Sequence, residues 1–260
     1  MSRTVGKHSK ENNKKRKFPF FRLVSVIIIV ICAVYIWNWI KENQHSNEIM
    51  EVAREAITIN NEENSENTED TASNITVDFD KLRKTNSDVV GWIIVNNTNI
   101  DYPVVQTTDN SFYLSHSLDK EYNAAGWPFV DYRVKGDEND KNITIYGHNR
   151  KDGSMFGSLK NILQPEWYEN EANLQVDYIT EDGVKKYQVF SVYQIAKETY
   201  YTDNSFENDE EYINFLNELQ SRSEVDFGVD LEKDDQILTL STCADNNYYR
   251  VVLHAKLIKW

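Results

Sequence analysis

Hydrophobic and polar positions follow three different patterns along this chain. Leu23–Ile40 (LVSVIIIVICAVYIWNWI) is a continuous apolar run without a charge, in which only Ser25 and Asn38 are clearly polar. At about 1.5 Å rise per residue it predicts a helix of roughly 27 Å, close to the hydrocarbon thickness of a bilayer. Phe18, Phe20 and Phe21 can extend it. Tyr35, Trp37 and Trp39 cluster at its far end, where an interfacial aromatic belt belongs. Residues 41–74 are polar and acidic. Within them Glu48–Ile57 has the spacing of a short helix. Asn60–Asn74 (NNEENSENTEDTASN) has no apolar periodicity and reads as a solvated linker.

From Ile75 to Trp260 the pattern changes to short apolar runs bounded by Asn, Asp or Gly, about the size of one domain. Strands are predicted at Val89–Val95, Ile100–Val105, Trp127–Asp131, Ile143–Tyr146, Leu174–Ile179, Lys186–Ile195, Gln236–Leu240 and Tyr249–Ile258. Asn96–Asn99 and Glu181–Gly183 carry turn chemistry. Helical spacing appears at Asp78–Thr85, Ser154–Lys160, Pro165–Asn170 and Asp209–Ser221. In the last of these, Tyr212, Phe215, Leu216 and Leu219 form one stripe, read as core packing. Eight short strands with few helices indicate a mainly β barrel or sandwich with inserted helices.

Charge sharpens this division. The chain of 260 residues carries a formal net charge of −14. Residues 1–22 hold eight Lys/Arg and one acid, a net of +7, so the rest carries −21. The positive-inside bias puts residues 1–22 in the cytoplasm as a basic tail and everything after Ile40 outside. No small-x-small cleavage site follows closely, so 23–40 is expected to be an uncleaved signal anchor, with 41–74 a stalk and 75–260 the folded domain. The acidic bulk argues against nucleic acid as a partner, because phosphate binding needs a basic footprint. The chain has two cysteines, which excludes a disulfide-dense scaffold and a multi-thiolate zinc site.

Cys32 lies inside the apolar run, so Cys243 is the one thiol of the external part. It ends a predicted strand just before the polar turn Ala244–Asn247, where a nucleophile is held firmly yet reaches solvent. A free thiol is mostly protonated near pH 7 and needs a nearby cation or base to attack a carbonyl. Asp245 at close range would raise its pKa. Four histidines lie beyond the apolar run. His45 is in the stalk, His254 is mid-strand and expected to pack on a sheet face, and His116 could cap a short helix. His148 ends the apolar strand Ile145-Tyr146-Gly147 and is the best-placed base. Acyl transfer also needs a group for the developing oxyanion. Arg250 opens the last strand, and a turn through Ala244–Tyr248 could return it to the thiol.

Taken together these residues resemble a known family. Thr239-Leu240-Ser241-Thr242-Cys243, with Arg250 after it, is similar to the TLxTC signature of sortases, and Ile145-Tyr146-Gly147-His148-Asn149 resembles their histidine motif. Gly91-Trp92-Ile93, Asn99–Gln106 and Asp152–Leu159 resemble class B sortases in particular, as does the helical insertion Asp209–Ser221. The likeness runs from about Phe79 to Trp260. It implies an eight-stranded sortase-type β-barrel with inserted helices behind an N-terminal transmembrane helix. It also implies a cysteine transpeptidase on the membrane of a Gram-positive bacterium. Cys243 would attack the Thr carbonyl of a C-terminal sorting signal, Asn-Pro-x-Thr followed by Gly, Asn or Ser, on a secreted protein. His148 would serve as acid and then base, and Arg250 would stabilise the oxyanion or position the substrate. The thioester would be resolved by an amine of the cell-wall stem peptide or its lipid-linked precursor. The likeness further assigns Ser241, Thr242, Asn110 and Leu114 to substrate binding and Asp245 to an accessory position, and it requires no cofactor and no metal.

Two other classes share some of these features. A different thiol enzyme of the cell wall is one, but Ser241-Thr242 does not fit the His and Gly expected before the cysteine of an L,D-transpeptidase, and a papain-like peptidase carries its cysteine on a helix. The other is a non-catalytic surface binding module, whose function would survive alkylation of the thiol.

Overall fold

The computed structural model describes residues 20–59, 75–137, 139–243 and 249–259. It divides into two units, Met1–Lys41 and Glu42–Trp260. Helix α1 (Phe20–Arg54) begins in the first. There the apolar side chains of the predicted span are exposed, among them Ile29, Ile31 and Trp37. The helix is long and apolar enough to cross a membrane.

The second unit takes in more of the acidic segment than its polarity suggests. Residues 42–54 continue α1, and Ala53 and Ala56 are buried with Met50 in a cluster that also holds Val77, Phe79 and Leu82. Asn123 Nδ2 donates to the Glu42 carbonyl and to Ser46 Oγ, at 3.0 and 2.9 Å. The short helix expected at Glu48–Ile57 is thus the end of α1, and the chain turns out of it into strand β1 (Ile57–Ile59), which pairs with β2 (Ile75–Val77). The rest of the expected linker lies outside the described residues.

Helix α2 (Phe79–Thr85) starts where Asp78 caps it, accepting from the Lys81 N–H at 2.9 Å. Strands β3 (Val89–Val95), β4 (Asp101–Val105), β5 (Phe129–Val130) and β6 (Asn142–Gly147) follow. Next come helix α3 (Pro165–Tyr168), β7 (Gln175–Thr180), β8 (Gly183–Ala196), helix α4 (Asp209–Ser221), β9 (Ile237–Cys243) and β10 (Tyr249–Lys259). The last eight strands close into a barrel in the order β10-β8-β7-β3-β4-β5-β6-β9, so the eight predicted runs are its eight staves. Two neighbour pairs are parallel, β4 with β5 and β6 with β9. Ser154–Lys160 is not the expected helix. Gly153 and Met155 both sit at positive φ, which breaks a right-handed helix, and only a 3-10 turn at Leu159–Leu163 forms.

Strand alternation fills the barrel with Ile93, Val104, Ile145, Tyr187, Val189, Leu240 and Leu253, all buried. Helix α4 begins at Asn208, which accepts from the Glu211 N–H, and acidic residues fill its first turn, where the helix dipole favours them. Its stripe Tyr212, Leu216 and Leu219 is buried against Phe190, Tyr193 and Val252 of β8 and β10, as the spacing predicts. Burial of each such side chain contributes about 1.5–3 kcal/mol.

Candidate active site

Three neighbouring staves, β6, β9 and β10, carry the residues singled out for chemistry. Cys243 is the last residue of β9, and its register partner on antiparallel β10 is Arg250. On the other side, parallel β6 pairs Gly147 with Thr242, and the next positions on the two chains are His148 and Cys243. Residues far apart in sequence are thus brought to one end of three adjacent strands. The short spacing between Cys243 and Arg250 is what a tight antiparallel connection needs. The connection itself, with Asp245, lies outside the described residues.

A groove of about 250 Å³ opens at this end of the barrel. Asn110, Leu114, His148, Ser241, Thr242 and Arg250 all line it, so six of the predicted site residues share one cavity. Ser241 and Thr242 are buried, and Leu114 is exposed at the rim. Phe129 and Tyr146 also contribute, as do Lys197, Glu198, Thr199, Tyr201 and Thr202 from the segment after β8. Tyr201 hydroxyl bonds Ser241 Oγ at 3.0 Å, which ties the segment to β9.

The imidazole of His148 is seated along its Nε2–Cδ2 edge. Its Nε2 lies 2.8 Å from the carbonyl oxygen of Leu114. A carbonyl only accepts, so Nε2 carries the hydrogen, and Nδ1 is the ring nitrogen left to take or deliver a proton. Gly126, at φ 61°, lies against this same edge of the ring. A Cβ there would come within 2.7 Å of His148 Cδ2. Gly147, just before the histidine, allows a second close approach, because a Cβ on it would meet the Phe156 ring at 2.5 Å. Gly147 adjoins the predicted base in the sequence, whereas Gly126 is distant in the chain and signalled only by its place before a strand. After the histidine, Arg150 binds Asp152 at 3.0 Å and donates to Asn43 Oδ1 at 2.5 Å, which joins the end of α1 to this loop.

The other histidines have different surroundings. His254 is fully buried on β10, between Tyr193 hydroxyl at 2.9 Å and Thr239 Oγ1 at 2.8 Å. Burial lowers its pKa to about 3, so it stays neutral and packs the sheet, as expected of a mid-strand histidine. His116 stacks on Phe112 at 4.0 Å, with Nδ1 2.7 Å from that residue's carbonyl. His45 meets Asp119 at 2.9 Å. Among the described residues no group of three or more His, Cys, Asp or Glu is arranged to hold a metal ion.

This arrangement has close counterparts. A sortase-domain sequence profile matches residues 93–258. Sortase B of Listeria monocytogenes is 32% identical over 243 residues, which cover 89% of this chain and 95% of that protein. The crystal structure of sortase B from Bacillus anthracis in complex with AAEK1 superposes with a TM-score of 0.70 at 33% identity, covering 86% of this chain and 100% of the other. The Staphylococcus aureus sortase B–substrate complex gives a TM-score of 0.65 at 35% identity over 70% of this chain and 84% of the other. Fold, groove and relatives agree: the chain belongs to the sortase family, in its B class, and is a cysteine transpeptidase of the cell wall.

Proposed function

We propose that the groove binds an extended C-terminal sorting signal of a secreted protein, of the form Asn-Pro-x-Thr followed by Gly, Asn or Ser, and that Cys243 cleaves it after Thr. The thiolate of Cys243 attacks the Thr carbonyl carbon, and a tetrahedral oxyanion forms. The Arg250 guanidinium offers N–H donors to that oxygen. The C–N bond then breaks as protonated His148 gives its Nδ1 proton to the leaving amine, and a thioester remains. In the second half an amine of the cell-wall stem peptide, or of its lipid-linked precursor, attacks the thioester. His148 takes the amine's proton, and the thiolate leaves. Every proton lost in one half is returned in the other, so no cofactor is consumed.

The observation that carries this reading is the strand register. The Cys243–Arg250 pair and the Gly147–Thr242 pair bring the backbone positions of 243, 250 and 148 to one end of adjacent strands, and His148 and Arg250 line the groove there, which supports their acting together. The Leu114 carbonyl supports the same roles, because it fixes which nitrogen of His148 is free. The S. aureus relative was solved as a sortase B–substrate complex, which supports substrate binding by a fold of this kind. We further propose that α1 anchors the enzyme with its basic tail in the cytoplasm and the barrel outside, since the charge asymmetry and the apolar helix both fit that topology.

The test uses the full chain in detergent micelles, a fluorogenic sorting peptide and a triglycine amine. Wild type is expected to form an amine-dependent product, and mass spectrometry of the trapped enzyme is expected to find a thioester on Cys243. Cys243→Ala should form neither. Normal cleavage by that variant would remove Cys243 as the nucleophile.

A further inference from the structure

The two walls of the groove come from distant stretches of chain. Asn110 and Leu114 belong to the segment after β4, whereas Thr199 and Thr202 belong to the segment after β8. Between the walls lies Asp131, just past β5, with its side chain only 1% exposed. Its carboxylate accepts five hydrogen bonds. Arg133 Nε and the Arg133 backbone N–H reach Oδ1, both at 2.9 Å. Arg133 Nη2 and Tyr146 hydroxyl reach Oδ2 at 2.9 Å, and Asn110 Nδ2 reaches it at 3.0 Å. The Asn110 amide is gripped at its other end too, since its Oδ1 accepts from the Tyr132 N–H at 3.0 Å. Arg133 then continues to the opposite wall. Its Nη2 donates to the Thr202 carbonyl at 2.8 Å, with Thr202 Oγ1 at 3.3 Å.

One planar fork therefore links a residue of each wall through a single buried carboxylate. Neither Asp131 nor Arg133 lines the groove. A buried ion pair is weak support for stability, because apolar replacements of similar volume are often as stable or more so. What it supplies is direction. A bidentate arginine fork fixes both the distance and the plane of its partners, which a lysine or an apolar contact does not.

We propose that Asp131 and Arg133 are a positioning pair that sets the spacing between the two walls, and so controls the binding of the peptide rather than bond making at Cys243. The proposal rests on the peptide-transfer reading of the groove. The pair acts through Asn110, Tyr146 and Thr202 and touches no reacting atom.

Steady-state kinetics of Asp131→Asn and Arg133→Lys in the full chain tests it. Losing a charged hydrogen bond at each wall is expected to raise KM for the sorting peptide about tenfold. Turnover at saturating peptide should stay near wild type, and so should the rate at which iodoacetamide alkylates Cys243. The double variant should be no worse than the poorer single one, as for residues acting as a unit. Arg133→Lys keeps the charge and loses only the fork, so it carries the test should Asp131→Asn fail to accumulate. If the variants melt earlier but keep the wild-type KM, or lose turnover at unchanged KM, the pair is merely structural and the proposal falls. A wild-type chain that alkylates normally yet turns over no sorting peptide overturns the transfer reading, and the positioning proposal with it. Wild-type turnover with an unchanged KM in both variants overturns positioning alone.

Discussion

Replacing Gly126 by alanine adds one methyl group beside the imidazole of His148. That methyl would lie 2.7 Å from His148 Cδ2 and 2.6 Å from the carbonyl oxygen of Tyr113. Carbon atoms in contact stay about 3.5–4.0 Å apart, so something must yield by about 1 Å. The Tyr113 carbonyl is held by the Trp127 N–H at 2.9 Å, so the backbone at Gly126 must shift as well as the imidazole. A ring displaced that far can no longer keep its 2.8 Å bond to the Leu114 carbonyl. Misplacement of this size costs about 10²-fold in turnover. The left-handed backbone at φ 61° adds a penalty of about 1–2 kcal/mol in stability. The assay is transfer of a sorting peptide to triglycine, run well below the melting point, with iodoacetamide reactivity as the control for an intact thiol. A Gly126→Ala enzyme with wild-type kcat/KM and an unshifted pH profile would refute the claim that this glycine seats the histidine.

Other substitutions separate chemistry from packing. His148→Ala and Arg250→Ala should each cut transfer by about 10³-fold or more while leaving the melting temperature nearly unchanged, and full activity in Arg250→Ala would remove the guanidinium from the mechanism. His254 should govern acid stability instead. Its folded pKa of about 3 lies below the ordinary value, so its contribution is complete above about pH 6.5 and is lost as pH falls toward 3. Urea unfolding should therefore show wild type losing about 2 kcal/mol more than His254→Gln between pH 7 and pH 5, and parallel losses would contradict the buried neutral imidazole. Leu216→Ala, at a fully buried position under α4, should cost about 2–5 kcal/mol in the same experiment, and a loss below 1 kcal/mol would mean that the helix is not packed as described.

The barrel was legible because each stave is an apolar run closed by turn residues, and the β7–β8 hairpin and helix α4 lie where Glu181–Gly183 and the Tyr212–Leu219 stripe put them. Cys243, His148 and Arg250 were singled out by residue type and by their places at predicted strand ends, and the strand register brings those three positions to one end of β6, β9 and β10. The ionic link between the walls was not. Asp131 and Arg133 read as ordinary charges after a strand, and only the closed barrel shows that the carboxylate is buried and shared by Asn110 and Tyr146. The helix near Glu48–Ile57 was legible but its burial was not, because Ala53 and Ala56 in an acidic context give no hint of the surface that covers them. Ser154–Lys160 misled because the helical spacing of Met155, Phe156 and Leu159 serves a turn, with Met155 itself at φ 52°.

The parallel seam between β6 and β9 has a consequence for when the enzyme comes alive. Parallel strands cannot be joined by a hairpin, and here the crossover contains β7, β8 and α4. Closing so long a loop carries an entropy cost that local contacts must first offset, so this seam forms late in folding. Until it does, Cys243 has its β10 register partner Arg250 but no histidine from β6 to serve as acid and base, and the proposed transfer chemistry lacks one of its members. Transfer thereby switches on only with completion of the cylinder.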